Sequence, residues 1–435
     1  MKVLFINDST TNANWGDRGA AISLMAMVRE SGGEIVHAIS EDDLWTSTFS
    51  ASEAGFGEAA KDVARDWVPP ALVRARRRLL TRLGDEGPAS LIPQRWEDFE
   101  SAAVTVSHEQ RYGWPVVLRA MEDADLALIH GASLHGHGIT IIQRTDLFLT
   151  YLMKTRFGKA VVIANHTADF DYPVLRPMAE HVYPLFDDVV YRDPISAERW
   201  SGEFGGRFAA DTAFWFAPAE RAAWAALAGR PTYFDVWPDT AAFDPSVPYL
   251  CLGGSSVFHD RDAWEPVLQG FGALIRELRS VYQGQIVLTA SADLDLPLFR
   301  VLGERLGLPV IGVTTPVQQA VDILGNADAY IGGRWHPSIF ALRGGCPLIA
   351  LSSQTFKMRA LAGLVGDAAT FDALDVGHEA GGIARRLASL LDQGDDVRSH
   401  LTAWAAGMAE NSWDNVAFLA PGEGRGAGAA SRVAP

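Results

Sequence analysis

The sequence predicts an α/β protein of two domains, each a parallel sheet covered by helices, and three observations lead there. Aliphatic, β-branched runs of strand length alternate with amphipathic stretches of helix length, the order that builds βαβ units. The alternation comes in two series separated by a Pro- and Trp-rich segment with no convincing strand, "APAERAAWAALAGRPTYFDVWPDTAAFDPSV". The chain has 435 residues, 48% of them hydrophobic, enough for two cores of ordinary domain size.

In chain order, "KVLFI" is the first strand, "NDSTTNANWGDRG" a long loop, "AAISLMAMVRESG" an amphipathic helix and "EIVHAI" the second strand. Strands resume with "ADLALIHG" near Asp125, "KAVVIANH" near Lys159 and "DDVVYRDP" near Asp187. Residues at about 41–120 lack this alternation and read as a helical insert, a lid or acceptor-side elaboration of a first domain assigned to residues 1–235. The boundary falls near Pro231 to Pro245. The second domain, 246–420, runs through "PYLCLGG", "GQIVLTAS", "LPVIGV", "ADAYIGG" and "CPLIAL". Its last helix carries Leu401, Trp404, Met408 and Trp413 at spacings of one apolar stripe and is expected to cross back onto the first domain. Residues 421–435 have almost no large apolar side chain and read as a disordered tail.

Composition excludes several classes. No run of about eighteen apolar residues occurs, and "MK" leads straight into a strand rather than a secretory signal, so a soluble cytoplasmic protein without a transmembrane segment is expected. A net charge of −16 argues against a general nucleic-acid binder. The one basic run, Arg74 to Arg82, reads as a solvated helix face or as a weak contact with an anionic membrane surface. Cys251 and Cys346 each sit in an apolar strand-like run without C-x-x-C spacing and read as buried free thiols.

Ligands of parallel sheets bind beyond the carboxyl ends of the strands. That rule selects Asn14 to Arg18, His130 to His137, Asn165 with His166, Arg192 with Asp193, Gly253 to Ser256, Ser291 to Asp293 and Arg334 to His336. The loop "NWGDRGAA" offers Asn14, Gly16 and Asp17 but lacks a dinucleotide G-x-G-x-x-G, and Asp17 is equally an N-cap or a ligand contact. Gly254, Ser255 and Ser256 read as a free loop able to present N–H groups to a phosphate, because the helix-capping pair Asp262 and Glu265 comes later. In "HGASLHGHG" the H-x-H of His135 and His137 suits a metal only on a strand; glycines and the lack of a nearby carboxylate favour a cleft-facing loop, and no metal is expected. The stretch "YIGGRWHPSIFALRGGCPLIAL" places Arg334, Trp335 and His336 between a strand and a helix with Pro337 at its first position. Such a junction binds an anion beside a proton donor. The alternative is that Arg334 pairs with an acidic neighbour while His336 packs.

"ADAYIGGRWHPSIFALRGGCPLIALSSQTFKMRALAGLVG" resembles the polysaccharide pyruvyl transferase family, whose signature is a G-R-x-H junction followed by a small-residue helix, a G-x-P-hydrophobic strand and a Lys. "NWGDRGAA", the Gly loop after "ADLALIHG", "VVYRDPISAERW" and "AADTAFWF" match further family segments, with Trp335 and Pro337 departing from its commoner Leu-His-Ala. The resemblance implies two Rossmann-like domains in a GT-B-like arrangement with the active site in the cleft. It implies phosphoenolpyruvate as co-substrate, no cofactor, and a saccharide acceptor, which includes lipid-linked ones. Carried over by motif, Arg192, Arg334, His336 and, more loosely, His166 are the expected catalytic or donor-binding residues, with His336 the acid that protonates the donor's methylene. Lys357 is either a phosphate contact or a surface residue. Two competing readings are a GT-B glycosyltransferase using a nucleotide sugar, for which no base pocket or ribose carboxylate is identifiable, and a non-catalytic glycan-binding relative.

Overall fold

The computed structural model describes residues 1–49, 52–53, 88–131, 141–171, 173–230, 236, 239–260, 264–367 and 369–419. The basic run Arg74 to Arg82, His135, His137, Asp262, Pro231 and the segment 421–435 lie outside them.

The first domain alternates β1 (Lys2–Asp8), α1 (Trp15–Glu30), β2 (Glu34–Ser40), α2 (Glu41–Thr46) and β3 (Ser52–Glu53), then α3 (Phe99–His108), α4 (Trp114–Asp123) and β4 (Leu126–His130). It continues through α5 (Ile141–Thr155), β5 (Ala160–His166), α6 (Leu175–Val182), β6 (Asp188–Tyr191), α7 (Pro194–Phe204) and β7 (Arg207–Phe208). Its seven strands lie in the order β3-β2-β1-β4-β5-β6-β7, all parallel except β3. After α8 (Arg221–Ala228) the second domain comprises β8 (Tyr249–Ser255), α9 (Glu265–Val281), β9 (Gln285–Thr289), α10 (Leu296–Leu306), β10 (Val310–Ile311) and α11 (Val317–Asn326). It closes with β11 (Tyr330–Gly333), α12 (Trp335–Arg343), β12 (Leu348–Ala350), α13 (Lys357–Leu364), α14 (Val376–Asp392) and α15 (Asp395–Ser412). Its five parallel strands run β10-β9-β8-β11-β12. The fold is α/β with parallel sheets in two domains.

Several sequence expectations change. The described part of the 41–120 stretch is not a lid: Phe99, Ala103, Val106, Trp114, Val117, Ala120 and Met121 are buried in the core beneath the first sheet. The described helices α3 and α4 form a layer in the connection between β2 and β4. The short edge strands β3 and β7 carry no periodic signal at two residues each. Gly253 to Ser255 belong to β8 and Ser256 opens a 3-10 turn, so that run is not a free loop. α9 begins at Glu265 with Trp264 at its N-cap and no side-chain cap.

α12 starts two residues before Pro337, with Arg334 as its N-cap. Every residue from Trp335 to Leu342 is buried, so this helix belongs to the interior on all its faces. It packs against α1 at Gly19, where a Cβ would come within 2.9 Å of the Phe340 ring. Trp413 is 37% exposed, off the expected stripe, because α15 gives way to a 3-10 segment at that residue; Leu401, Ala405 and Ser412 are the buried positions. That 3-10 segment lays Val416 and Leu419 against Val3, Phe5, Leu24 and Val28 of the first domain. No helix among the described residues is long and apolar enough to cross a membrane.

Candidate active site

Each sheet reverses its strand order at one point, between β1 and β4 in the first and between β8 and β11 in the second. Crevices open at such switch points. The two face each other, and a pocket of about 80 Å³ lies between them. Asn14 and Asp17 line it from the loop and helix after β1, Arg192 from the end of β6, Ser256 from the end of β8, and Gly333, Arg334, Trp335, His336 and Pro337 from the β11–α12 junction. Ser353, Lys357 and Met358 complete it from α13 and the loop before it.

Two buried carboxylates organise the cations. Arg334 spreads its Nε and Nη2 over Asp295, at 3.2 and 2.7 Å. Arg192 donates Nε to Thr167 Oγ1 at 2.8 Å and Nη1 to Asp211 Oδ2 at 3.2 Å. The same Asp211 oxygen accepts the Trp335 indole N–H at 2.9 Å and lies 3.5 Å from His336 Nε2. Arg192 also sits over the Trp335 ring, 5.6 Å from its centroid. Trp335 therefore does what the Leu commoner at this position cannot, holding both members of the Arg192–Asp211 pair. Burial alone would raise the Asp211 carboxyl, but His336, Arg192 and the Ala213 N–H outweigh it and hold Asp211 well below the usual carboxylate range.

The pairing of Arg334 with an acidic neighbour and its place in the pocket are thus both realised. With Nε and one Nη2 hydrogen turned to Asp295, the outer edge of the Arg334 guanidinium, with both Nη1 hydrogens and the second of Nη2, is the part that can meet a ligand. The first turn of α12 adds positive character, since no side chain caps its leading N–H groups, whereas the first two N–H groups of α13 are met by the Thr355 and Ser353 hydroxyls at 3.5 Å. Asn14, by contrast, caps α1 by accepting from Gly16 N–H at 2.8 Å, so Asp17 is a first-turn residue and not the cap. Gly16 is required by contact: a Cβ there would stand 2.1 Å from His336 Nδ1. Lys357 opens α13, half-buried, and its ammonium is pushed down to about 7, chiefly by burial and next by Arg192, against Asp17 and Asp193.

His166 is elsewhere. It lies buried beneath the pocket, where its Nδ1 donates to Gly131 O at 3.0 Å and its Nε2 accepts from the Tyr183 hydroxyl at 2.7 Å. A carbonyl can only accept, so the tautomer is fixed and neither nitrogen is left for chemistry; burial takes its pKa down to about 3. His130 is likewise buried, its Nε2 accepting from Asn165 Nδ2 at 3.3 Å, and its pKa falls to about 4, chiefly by burial. Gly254 and Ser255 do not line the pocket. A Cβ on Gly254 would meet Asp295 Oδ1 at 2.2 Å, so this glycine makes room for the carboxylate that holds Arg334. Ser255 Oγ is spent on Ser352 O at 2.6 Å. Sequence reasoning missed Asp211, Asp295, Ser353 and Thr167. Asp211 stands in the "AADTAFWF" segment that carried part of the family resemblance, and Asp295 follows the selected Ser291 to Asp293 by two residues. The buried thiols of Cys251 and Cys346 are both raised by burial, Cys346 to about 12.

The sequence profile for polysaccharide pyruvyl transferase matches residues 58–355. The chain belongs to the polysaccharide pyruvyl transferase family. It is a transferase by that membership, and the family implies a saccharide acceptor. Comparison with curated proteins gives no match. Among solved structures, Staphylococcus aureus MnaA with UDP aligns over 96% of this chain and 94% of its own, with a TM-score of 0.51 and 12% identity. The UDP-GlcNAc 2-epimerase of Neisseria meningitidis bound to UDP-GlcNAc aligns over 96% and 99%, also with a TM-score of 0.51 and 12% identity. Likeness at this identity speaks for the fold alone, two α/β domains in the GT-B arrangement with a cleft between them.

Proposed function

We propose that this family member transfers the pyruvyl group of phosphoenolpyruvate to two hydroxyls of a saccharide, forming a cyclic ketal and releasing phosphate. The observation that carries the reading is the meeting of Arg192, Arg334, His336 and Lys357 at one pocket built from both domains. A small molecule with a carboxylate and a phosphate suits that charge.

In the reaction, the imidazolium of His336 gives a proton to the methylene carbon, the π pair forms the new C–H bond, and C2 becomes electrophilic. One acceptor hydroxyl bonds to C2 and its proton replaces the one His336 gave up. The C2–O bond to phosphate then breaks with its electron pair leaving on phosphate, the second hydroxyl closes the ketal, and its proton goes with the phosphate. Arg192, Arg334, Lys357 and the N-terminus of α12 stabilise the departing charge. The saccharide, free or lipid-linked, enters from the open side of the cleft, and the cytoplasm supplies phosphoenolpyruvate. Mass spectrometry of candidate acceptors after incubation with phosphoenolpyruvate tests this reading, the expected product being one pyruvyl ketal with an equivalent of phosphate. Release of a nucleoside diphosphate from a nucleotide sugar, with no ketal formed, would replace it by glycosyl transfer.

A further inference from the structure

The charge of the pocket is uneven. Arg192, Arg334 and Lys357 are its cations, and Asp17 is the acidic residue that lines it. Beyond Asp17 the negative character continues into the first domain. Glu41 begins α2 at the carboxyl end of β2, and Asp146 lies on α5, the helix after β4. Because β2, β1 and β4 are neighbours in the sheet, the segments that leave their carboxyl ends bring Asp17, Glu41 and Asp146 to one corner. The Glu41 carboxyl is raised chiefly by burial and next by Asp17; that of Asp146 is raised well above the usual range by burial and next by Glu41. Neither Glu41 nor Asp146 has an ion-pair partner among the described residues. Glu41 accepts only from N–H groups, Asn12 Nδ2 at 2.7 Å on Oε2 and Trp45 Nε1 at 3.4 Å on Oε1. Asn12 Oδ1 in turn accepts from the N–H of the pocket-lining Asn14 at 2.9 Å, so one side chain joins the carboxylate to the pocket wall. Asp146 is 1% exposed, and neither of its oxygens has a hydrogen-bond partner. Buried polar groups are rarely left unpaired, and what this corner lacks is hydrogen-bond donors. Trp45, beside it, is 40% exposed.

We propose that Glu41 and Trp45 form the acceptor subsite, which takes a neutral saccharide and excludes an acidic one. The proposal rests on the pyruvyl-transfer reading and deepens it by naming the class of acceptor. An ionised carboxylate only accepts, and saccharide hydroxyls are donors; each Glu41 oxygen has a lone pair left beyond the N–H it already holds. Trp45 is tied by its indole N–H to that carboxylate, so an apolar ring stands next to a hydrogen-bonding group. A pyranose has the matching pattern, an apolar C–H face bordered by hydroxyls. Charge sorts the two substrates: the phosphate and carboxylate of the donor are drawn to Arg192, Arg334 and Lys357 and repelled by Asp17 and Glu41, while a neutral saccharide meets no repulsion at either. Seated on Glu41 and Trp45, the saccharide lies beside Asn14 and Asp17, with its free hydroxyls at the first-domain edge of the donor pocket. A uronic acid would set a like charge against Asp17 and Glu41, and such repulsion is a means of specificity.

The test uses the full chain and three probes: methyl β-D-glucopyranoside, methyl β-D-galactopyranoside and methyl β-D-glucuronide. In saturation-transfer difference NMR without donor, at least one neutral glycoside should give ring-proton signals from the wild-type protein, and the glucuronide should give weaker ones. Trp45→Ala should abolish the neutral signal. Glu41→Gln should weaken neutral binding by about 10-fold or more, the worth of a hydrogen bond to a charged group, and narrow the gap to the glucuronide. In steady-state turnover Glu41→Gln should raise the KM for the glycoside and leave that for phosphoenolpyruvate unchanged. A wild-type protein that binds the glucuronide as well as the neutral glycosides, or binds neither neutral glycoside, overturns the proposal without any variant having to fold. Folded Glu41→Gln and Trp45→Ala proteins that both bind the neutral glycoside like wild type overturn it equally. Glycoside binding that is lost in Trp45→Ala, with no ketal formed, would count against the proposed reaction and keep the subsite; ketal formation with an unaltered glycoside KM in both variants would do the reverse.

Discussion

Replacing Asp295 by Ala should weaken donor binding although Asp295 does not line the pocket. The carboxylate is fully buried and the Arg334 side chain is 10% exposed, with two hydrogen bonds of 3.2 and 2.7 Å between them. Taking away one partner of such a pair leaves an uncompensated buried charge and costs about 3–5 kcal/mol, a large share of the roughly 5–15 kcal/mol that keeps a protein folded. Arg334→Ala should cost a similar amount, stranding Asp295 instead. The double variant removes both charges, so its cost should fall short of the sum by about 1–3 kcal/mol. Urea unfolding of the four proteins, read by linear extrapolation, gives the cycle. Donor titration followed by tryptophan fluorescence, with Trp335 in the pocket wall, gives the functional arm; Arg334→Ala and Asp295→Ala should both bind donor more weakly by about 1.5–3 kcal/mol, the worth of a charge-assisted hydrogen bond. Additivity within about 0.5 kcal/mol, or Asp295→Ala with unaltered donor affinity, would show that the pair neither shares its energy nor aims Arg334.

His336→Gln should lose at least about 10²-fold in turnover while still binding donor, which single-turnover kinetics and donor titration separate; equal losses in both would make His336 a binding group. Lys357 sheds its proton in the folded protein near 7 while the unfolded chain keeps it to its ordinary value of 10.5. The folded state thus binds fewer protons in that window, so this group makes stability rise with pH between the two values, and donor affinity fall above about 7 as the cation is lost. Lys357→Met should flatten that part of the affinity profile, measured against wild type so that the donor's own ionisation cancels. His166→Leu should lower stability by about 1–3 kcal/mol, since it strands the Gly131 carbonyl and the Tyr183 hydroxyl, while the pH profile of the remaining activity keeps its midpoints; a shifted midpoint would return His166 to the chemistry.

By itself the sequence determined what is local or periodic. Ten of the twelve strands announce themselves as apolar runs of strand length, and the residue that follows each parallel strand is a candidate by topology alone, which is how Arg192, Ser256, Arg334 and His336 could be named. The R-W-H junction was legible because three informative residue types stand together. Tertiary structure decided the pairings. That Arg334 meets Asp295, 39 residues away, and Arg192 meets Asp211 depends on which strands lie together in each sheet, and that Trp335 meets Asp211 depends on how the two sheets face each other; no local propensity encodes those distances. The same holds for His166 and His336. One ends a strand and the other opens the helix after a strand, and sequence treats them alike; burial gives one a carbonyl and a hydroxyl that consume its ring nitrogens, and gives the other a place in the pocket wall beside a carboxylate. Gly16 and Gly254 are the clearest case, since a missing Cβ has no meaning along the chain and acquires one only when an imidazole or a carboxylate from elsewhere in the fold occupies the space it leaves.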